Sequence, residues 1–219
     1  MQDSQGGTAF SFRNTQDATL FGRPLVDRGV KSPGDLLYTP RWVAAFDLTD
    51  AQTLVTGVSA SFGPNDSGRH TRTQIFGGDV YWKWKPAWQS GGFPFVALQA
   101  EALGRRYEAG GVVTDAGTRV LPAETLQDYG TYAQALWGFR ERWVAGLRFD
   151  WMRGDRGAFA PDEHRAARWR VSPNLTFFPT EFSKLRFQYN YDDGRIHGSD
   201  SAVWVQLELL LGEHAAHKF

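Results

Sequence analysis

The chain has 219 residues, enough for one substantial domain. Its 24 basic and 24 acidic side chains cancel, so a long-range attraction to nucleic acid is not expected. The chain has no cysteine, which excludes a disulfide framework, zinc–thiolate sites and thiol catalysis. Its mean hydropathy of −0.43, without a run of about 18 apolar residues, excludes a helical membrane protein.

The first 36 residues carry the weakest pattern. A short alternating stretch from Ala9 to Arg13 predicts one strand, and residues 15–35 predict a long connection. The chain opens on Met1-Gln2-Asp3 without an apolar signal segment. We therefore expect either that a secretory signal has been removed or that the chain comes from within a longer precursor.

From Trp42 onward, apolar and polar residues alternate with a period of two, which is typical of strands with one apolar and one polar side. The final segment is the clearest example, because Val203, Val205 and Leu207 alternate with Trp204, Gln206 and Glu208. The predicted strands are Trp42 to Leu48, Leu54 to Phe62, Asp79 to Lys85, Val96 to Ala102, Tyr129 to Phe139, Trp143 to Trp151, Arg168 to Phe177, Lys184 to Asp192, and Val203 to Leu211.

The connections between these segments are expected to alternate strictly between short and long. Short ones are Asp47 to Gln52, Pro86 to Pro94, Arg140 to Arg142 and Pro179 to Ser183; long ones are Gly63 to Thr71, Glu108 to Gln127, Gly154 to Ala167 and Asp193 to Ser201. Transmembrane barrels have short periplasmic turns and longer extracellular loops. The sequence therefore predicts an all-β protein, an antiparallel transmembrane β-barrel of about nine or ten strands. We expect one domain over residues 1–219, either a complete barrel or part of a larger one.

Aromatic residues make up 15% of the chain, and their predicted positions support a barrel in a membrane. Interfacial girdles of aromatic side chains flank the lipid-facing band of such barrels. Towards the predicted periplasmic ends lie Trp82, Trp84, Trp88, Trp137 and Trp143, and towards the outer ends lie Trp42, Trp151 and Trp169.

The last third of the chain resembles a known family. The stretch from Arg170 to Asp192, the run Val203-Trp-Val-Gln-Leu-Glu-Leu-Leu-Leu-Gly and the ending His214-Ala-Ala-His-Lys-Phe219 are similar to bacterial outer-membrane proteins known as zinc-regulated TonB-dependent receptors or porin-like proteins. Phe46-Asp-Leu-Thr-Asp, Ser61-Phe-Gly-Pro-Asn and Leu121-Pro-Ala-Glu-Thr-Leu also fit. The resemblance extends from about Leu37 onward, and it implies the C-terminal portion of a longer protein in the outer membrane of a Gram-negative bacterium.

The chain ending resembles the terminal signature by which outer-membrane proteins engage the barrel assembly machinery, since Phe219 follows an apolar alternating strand. The resemblance implies that machinery and outer-membrane lipid as partners, together with small solutes. We expect a porin-like channel or uptake protein for small solutes. The alternatives are a TonB-dependent-type receptor for a metal or metal chelate and a structural barrel with a plugged lumen.

The polar sides of the predicted strands supply the candidate functional residues. They would line either an open channel or an interior filled by satisfied ion pairs. If no carboxylate lies between them, Arg168, Arg170, Lys184 and Arg186 would favour anionic solutes. The lumen-facing candidates are Asp79, Lys83, Glu101, Arg148, Asp150, Arg168, Arg170, Lys184, Arg186, Gln188, Gln206 and Glu208.

Neither catalysis nor a bound metal or other cofactor is expected. Asp162 with His164, and Asp192 and Asp193 with His197, fall in predicted outer loops and match no catalytic spacing. His214 and His217, even with Glu213, give too few ligands for a zinc site.

Overall fold

A computed structural model of the protein describes residues 12, 22–23, 25–26, 29–113, 120–159, 165–194 and 198–210. The predicted strand from Ala9 to Arg13 lies outside this part of the chain, apart from Phe12. Within it, the protein is almost entirely antiparallel β-sheet with very little helix, such as the short 3₁₀ turn at Pro33–Asp35. The all-β expectation is confirmed. No helix in the described ranges has the length and apolar character needed to cross a bilayer.

Eleven strands follow one another along the described chain. They are β1 (Arg41–Thr49), β2 (Gln52–Pro64), β3 (Arg72–Trp84), β4 (Phe95–Ala109), β5 (Val112–Val113), β6 (Val120–Leu121), β7 (Glu124–Arg140), β8 (Trp143–Gly154), β9 (Arg168–Thr180), β10 (Ser183–Gly194) and β11 (Gly198–Leu209). Nine of them form one sheet in the order β1-β2-β3-β4-β7-β8-β9-β10-β11, and β5 pairs with β6 in a separate hairpin. Among the described residues β1 and β11 do not pair, so this sheet is open.

The strand register sorts the side chains of the large sheet onto two faces of opposite character. One face, the apolar face, presents large hydrophobic groups to the outside, including Phe46 and Val58, which are 50% and 56% exposed, and Leu147 and Val203, which are 53% and 75% exposed. The other face, the polar face, carries most of the charged residues of the strands. The period-two pattern of the sequence thus corresponds to a two-sided sheet.

Tryptophans lie towards both ends of the apolar face. Trp42, Trp151 and Trp169 occupy one row of paired residues across the sheet. Trp84 and Trp137 occupy a second row, six residues further along each strand. Between these two rows the apolar face carries no Asp, Glu, Lys, Arg or His side chain.

The polar face is the more shielded of the two. Its buried side chains include Ala97 and Val144 as well as the polar Ser172, Thr176 and Asn190, whose residues are between 2% and 6% exposed. Neighbouring side chains crowd together on the concave side of a bent sheet and spread apart on its convex side. The burial pattern therefore indicates that the sheet curves towards its polar face.

The connections differ from the strict alternation expected from the sequence. Residues 50–51, 141–142 and 181–182 are tight turns at one end of the sheet, the short-link end, and residues 155–167 form a longer connection at the opposite long-link end. The expected long connection from Asp193 to Ser201 is wrong. The ladder of β10 and β11 continues up to the Gly194–Gly198 pair, and Gly198 takes a positive φ of 65° that favours glycine. The connection of residues 85–94 also lies at the short-link end, and it is longer than the three tight turns there.

A buried polar cluster closes over the long-link end. The guanidinium of Arg23, whose side chain is 0% exposed, donates hydrogen bonds to the carbonyls of Gly110 (2.6 Å) and Pro122 (2.9 Å) and contacts the Glu124 carboxylate at 2.7 Å. Asn65 donates to the Thr73 hydroxyl and to the Glu108 carbonyl, each at 3.1 Å. These bonds connect the segment before β1 to the ends of β2, β3, β4 and β7.

Candidate functional site: the polar face of the sheet

All twelve candidates from the sequence lie on the polar face. The register places each of them on the face opposite to Val58 of β2, Leu147 of β8 and Val203 of β11. This polar face also carries the exposed hydrophobic residues Leu103, Met152 and Trp204. Alternation along a strand is a local property, which is why the sequence was sufficient for this assignment. The structure adds which of these side chains meet.

Carboxylates from five different strands share one row of the polar face. Strand pairing connects Gly57, Asp79, Glu101, Tyr132, Asp150, Arg170, Asp192 and Asp200 in an unbroken series from β2 to β11. We refer to Asp79, Glu101, Asp150, Asp192 and Asp200 as the carboxylate row. Arg170 is the basic member of this series.

Arginines pair with three members of the carboxylate row. Arg170 donates to Asp192 through Nε at 2.7 Å, and Arg148 contacts Asp150 at 2.6 Å within the same strand. Arg41 of β1 reaches across β2 to Asp79 of β3 at 2.9 Å. This last pair passes over Gly57, where a Cβ atom would stand 2.5 Å from the Asp79 carboxylate. Glycine at this point therefore leaves room for an ion pair that spans three strands.

A further group connects the middle of the row. The Arg148 guanidinium lies over the Tyr132 ring, 3.9 Å from its centroid, within cation–π range. The Gln99 amide donates to the Tyr132 hydroxyl at 2.8 Å. Tyr132 therefore packs between side chains of β4 and β8, which supports the polar face at its centre.

The cluster of Arg168, Arg170, Lys184 and Arg186 does not meet the condition for an anion preference. Carboxylates do lie between its members, since Arg170 pairs with Asp192 and Lys184 contacts Glu208 at 2.6 Å. Arg186 donates to the Thr176 hydroxyl at 3.1 Å, and Arg168 contacts the Met152 sulfur. The polar face therefore carries positive and negative side chains in direct contact with one another.

A cavity of about 420 Å³ lies over the carboxylate row. Glu101, Tyr132, Asp150, Arg170 and Asp192 line it together with Arg168 of the adjacent row. Five strands, β4 and β7 to β10, contribute to its walls, so it follows the curvature of the sheet. Its lining combines carboxylates and guanidinium groups with the apolar side chains of Leu103, Trp151, Met152 and Trp169.

Asp192 was expected both as the last residue of a predicted strand and in an outer loop, and only the loop expectation is wrong. It lies within β10, because the β10–β11 ladder extends beyond it, and its carboxylate pairs with Arg170. The sequence reading also left out Asp200, whose position two residues before Ala202 continues the alternation of β11. Extending the period-two pattern backwards from Val203 by two residue pairs would have found it.

The described residues contain no group of three or more His, Asp or Glu side chains placed to hold a metal ion. His164, His197, His214 and His217, together with Asp162 and Glu213, lie outside the described residues, so the expectations built on them stay predictions.

Comparisons with known proteins give one relative. No family model matches the sequence, and no solved structure matches it. An uncharacterized protein of Aquifex aeolicus (strain VF5) is similar to this chain, with 27% identity over 213 residues. The alignment covers 86% of this chain and 42% of that protein, so the chain spans less than half the length of this relative.

Proposed function

We propose that this chain forms part of the wall of a bacterial outer-membrane β-barrel. The apolar face is turned towards lipid, and the polar face lines a passage for small solutes. One observation carries the proposal: the apolar face is exposed across nine strands and has no charged side chain between its two tryptophan rows. Soluble monomers rarely expose contiguous apolar patches larger than a few hundred Å². A lipid environment removes that difficulty.

The dimensions of the strands support the same proposal. A transmembrane β-strand needs about 9–11 residues when it is tilted by about 45°. The strands of the large sheet range from 9 residues in β1 to 17 in β7. Tryptophans towards both ends of the apolar face fit the aromatic girdles of such barrels.

The polar face supports a passage for polar solutes. Its charges are of both signs, and the cavity above the carboxylate row is lined by such groups. Barrels of about eight strands are filled by their own side chains, whereas barrels of sixteen or more leave an aqueous channel. A porin-like role thus requires more wall than these nine strands, and more than half of the Aquifex relative lies outside the alignment.

A structural barrel with a plugged lumen is the second candidate, and the ion pairs across the polar face favour it. Arg41 with Asp79, Arg170 with Asp192, and Lys184 with Glu208 each join different strands. Such mutual satisfaction is what a filled barrel interior needs.

Conductance measurements distinguish the two candidates. We expect the intact protein, with the wall that lies outside this chain, to show discrete conductance steps when it is refolded from detergent into a planar bilayer. We also expect its unheated form to migrate differently from the heated form in a gel. A heat-modifiable species without conductance would support the plugged barrel. The absence of any heat-modifiable species, together with failure to float with lipid vesicles, would contradict the membrane location itself.

Substituting Glu101 tests whether the carboxylate row lines the passage. We expect Glu101→Lys to shift the ratio of cation to anion permeability towards anions, because the substitution changes the charge by two units. One unit charge at about 4 Å in water contributes about 1 kcal/mol, so two units give roughly a thirty-fold change. Reversal potentials under a salt gradient measure this ratio. Asp50→Lys is the matched control, since Asp50 lies in the tight turn between β1 and β2 and away from the row. An equal shift for both variants would mean that the row has no special position in the passage.

A further inference from the structure

The two edge strands of the sheet run in the same direction. β1 ends at the tight turn of residues 50–51, so it runs towards the short-link end. β10 begins at that same end after residues 181–182, and β11 returns towards it. Because every pair in the sheet is antiparallel and nine strands are present, the first and the last are parallel to each other.

Both edges are open in the described part of the chain. β1 pairs only with β2 and β11 only with β10, so each has a row of outward backbone groups without a ladder partner there. Both faces of β11 are also exposed, as Val203 at 75% and Trp204 at 61% show. In hydrocarbon such open edges do not occur, because each unsatisfied backbone group costs several kcal/mol.

Direct closure of the sheet on itself conflicts with the strand directions. Joining β11 to β1 would introduce one parallel ladder into a sheet whose other pairs are all antiparallel. A second copy of the chain in the same membrane orientation meets the same obstacle, since its β1 would also lie parallel to β11. An antiparallel contact between two β1 edges would place the long-link ends on opposite sides of the membrane.

We propose that polypeptide outside residues 29–210 supplies an odd number of further strands, which pair antiparallel with β1 at one end of the series and with β11 at the other. This inference rests on the proposed membrane location. It adds that the number of strands supplied from outside residues 29–210 is odd. Any odd number makes the total even, as in bacterial single-chain outer-membrane barrels. The strand beside β11 must continue the apolar face next to Val203, Val205 and Leu207.

Site-specific photocrosslinking in the intact protein, in its native membrane, tests whether strands from outside residues 29–210 flank both edges. A benzophenone amino acid replaces Val43 on β1 or Trp204 on β11, both of which point to the polar face and so away from lipid. We expect the peptide captured at each edge, identified by mass spectrometry, to come from outside residues 29–210.

Three outcomes would overturn the inference. Capture of β11 by the probe at position 43 would mean that the nine strands close on themselves with a parallel pair. A crosslinked dimer that joins β1 to β11 of another copy would assign the edges to a second chain. No crosslinked peptide at either position would mean that the edges have no strand partner.

A neighbouring position separates this inference from the proposed function. The same probe in place of Ala44, which points to the apolar face, is expected to capture lipid. Capture of lipid at position 44 without an outside peptide at 43 or 204 would contradict the parity alone. Capture of outside peptides without lipid at position 44 would contradict the membrane location and leave the strand pairing intact.

Discussion

Replacing Tyr189 by arginine is expected to reduce the free energy of unfolding in lipid by about 2–4 kcal/mol, the range for a basic residue at the bilayer midplane on the lipid side of a barrel. Tyr189 lies on the apolar face of β10, opposite Val203 of β11 and between the two tryptophan rows, and it is 42% exposed. The measurement is urea-dependent folding into phospholipid vesicles, followed by tryptophan fluorescence.

The adjacent residue supplies the control for this substitution. Gln188 lies on the polar face of the same strand, opposite Asn174 and Trp204, so Gln188→Arg adds the same charge on the other side of the sheet. We expect it to change the free energy of unfolding by less than about 1 kcal/mol. If both variants lost the same stability, or if Tyr189→Arg behaved like an ordinary surface substitution within about 0.5 kcal/mol, lipid would not contact the apolar face.

Arg23→Met is expected to lower the free energy of unfolding by about 3 kcal/mol, since removing one partner of a buried charge pair typically costs 3–5 kcal/mol. The substitution keeps an unbranched apolar side chain but removes the donors to the carbonyls of Gly110 and Pro122 and the contact with Glu124. Glu124 retains the backbone N–H of Ala158 as a donor, which places the expected loss at the lower end of the range.

Arg69→Met is the matched control for this loss. Arg69 lies near the same end of the sheet, in the connection between β2 and β3, but it is exposed. We expect its replacement to change stability by no more than about 0.5 kcal/mol. The same urea titration compares the two variants. Equal stability of both would mean that the polar cluster at the long-link end closes without contributing to folding.

The sequence predicts the strands and their two sides well, because apolar and polar residues alternate within each strand independently of its neighbours. Val203 and Gln206 fall on opposite faces in any arrangement of a strand, so a residue's side needs no knowledge of its neighbours. The same holds for the twelve polar-face candidates. The nine strands of the large sheet could also be counted, since each alternating run ends at a turn or a loop. The β5–β6 hairpin was missed, because it lies within the expected connection from Glu108 to Gln127.

Contacts between strands could not be predicted in the same way. The Arg41–Asp79 pair depends on the register of two ladders and on the missing side chain at Gly57, and neither is visible in one sequence. The carboxylate row can likewise be recognised only when the registers of seven successive strand pairs are known. The burial of Arg23 is a third example, because its partners lie about 90 to 100 residues away along the chain.

The uninterrupted strand order also bears on how the chain reaches this arrangement. Each strand of the large sheet pairs with the strand that precedes it along that sheet, without a crossover. The loop that must close before a new ladder forms is therefore only one connection long, and short loops have a low entropic cost. Growth can proceed hairpin by hairpin, because each new strand needs only the edge of the strand before it in the sheet.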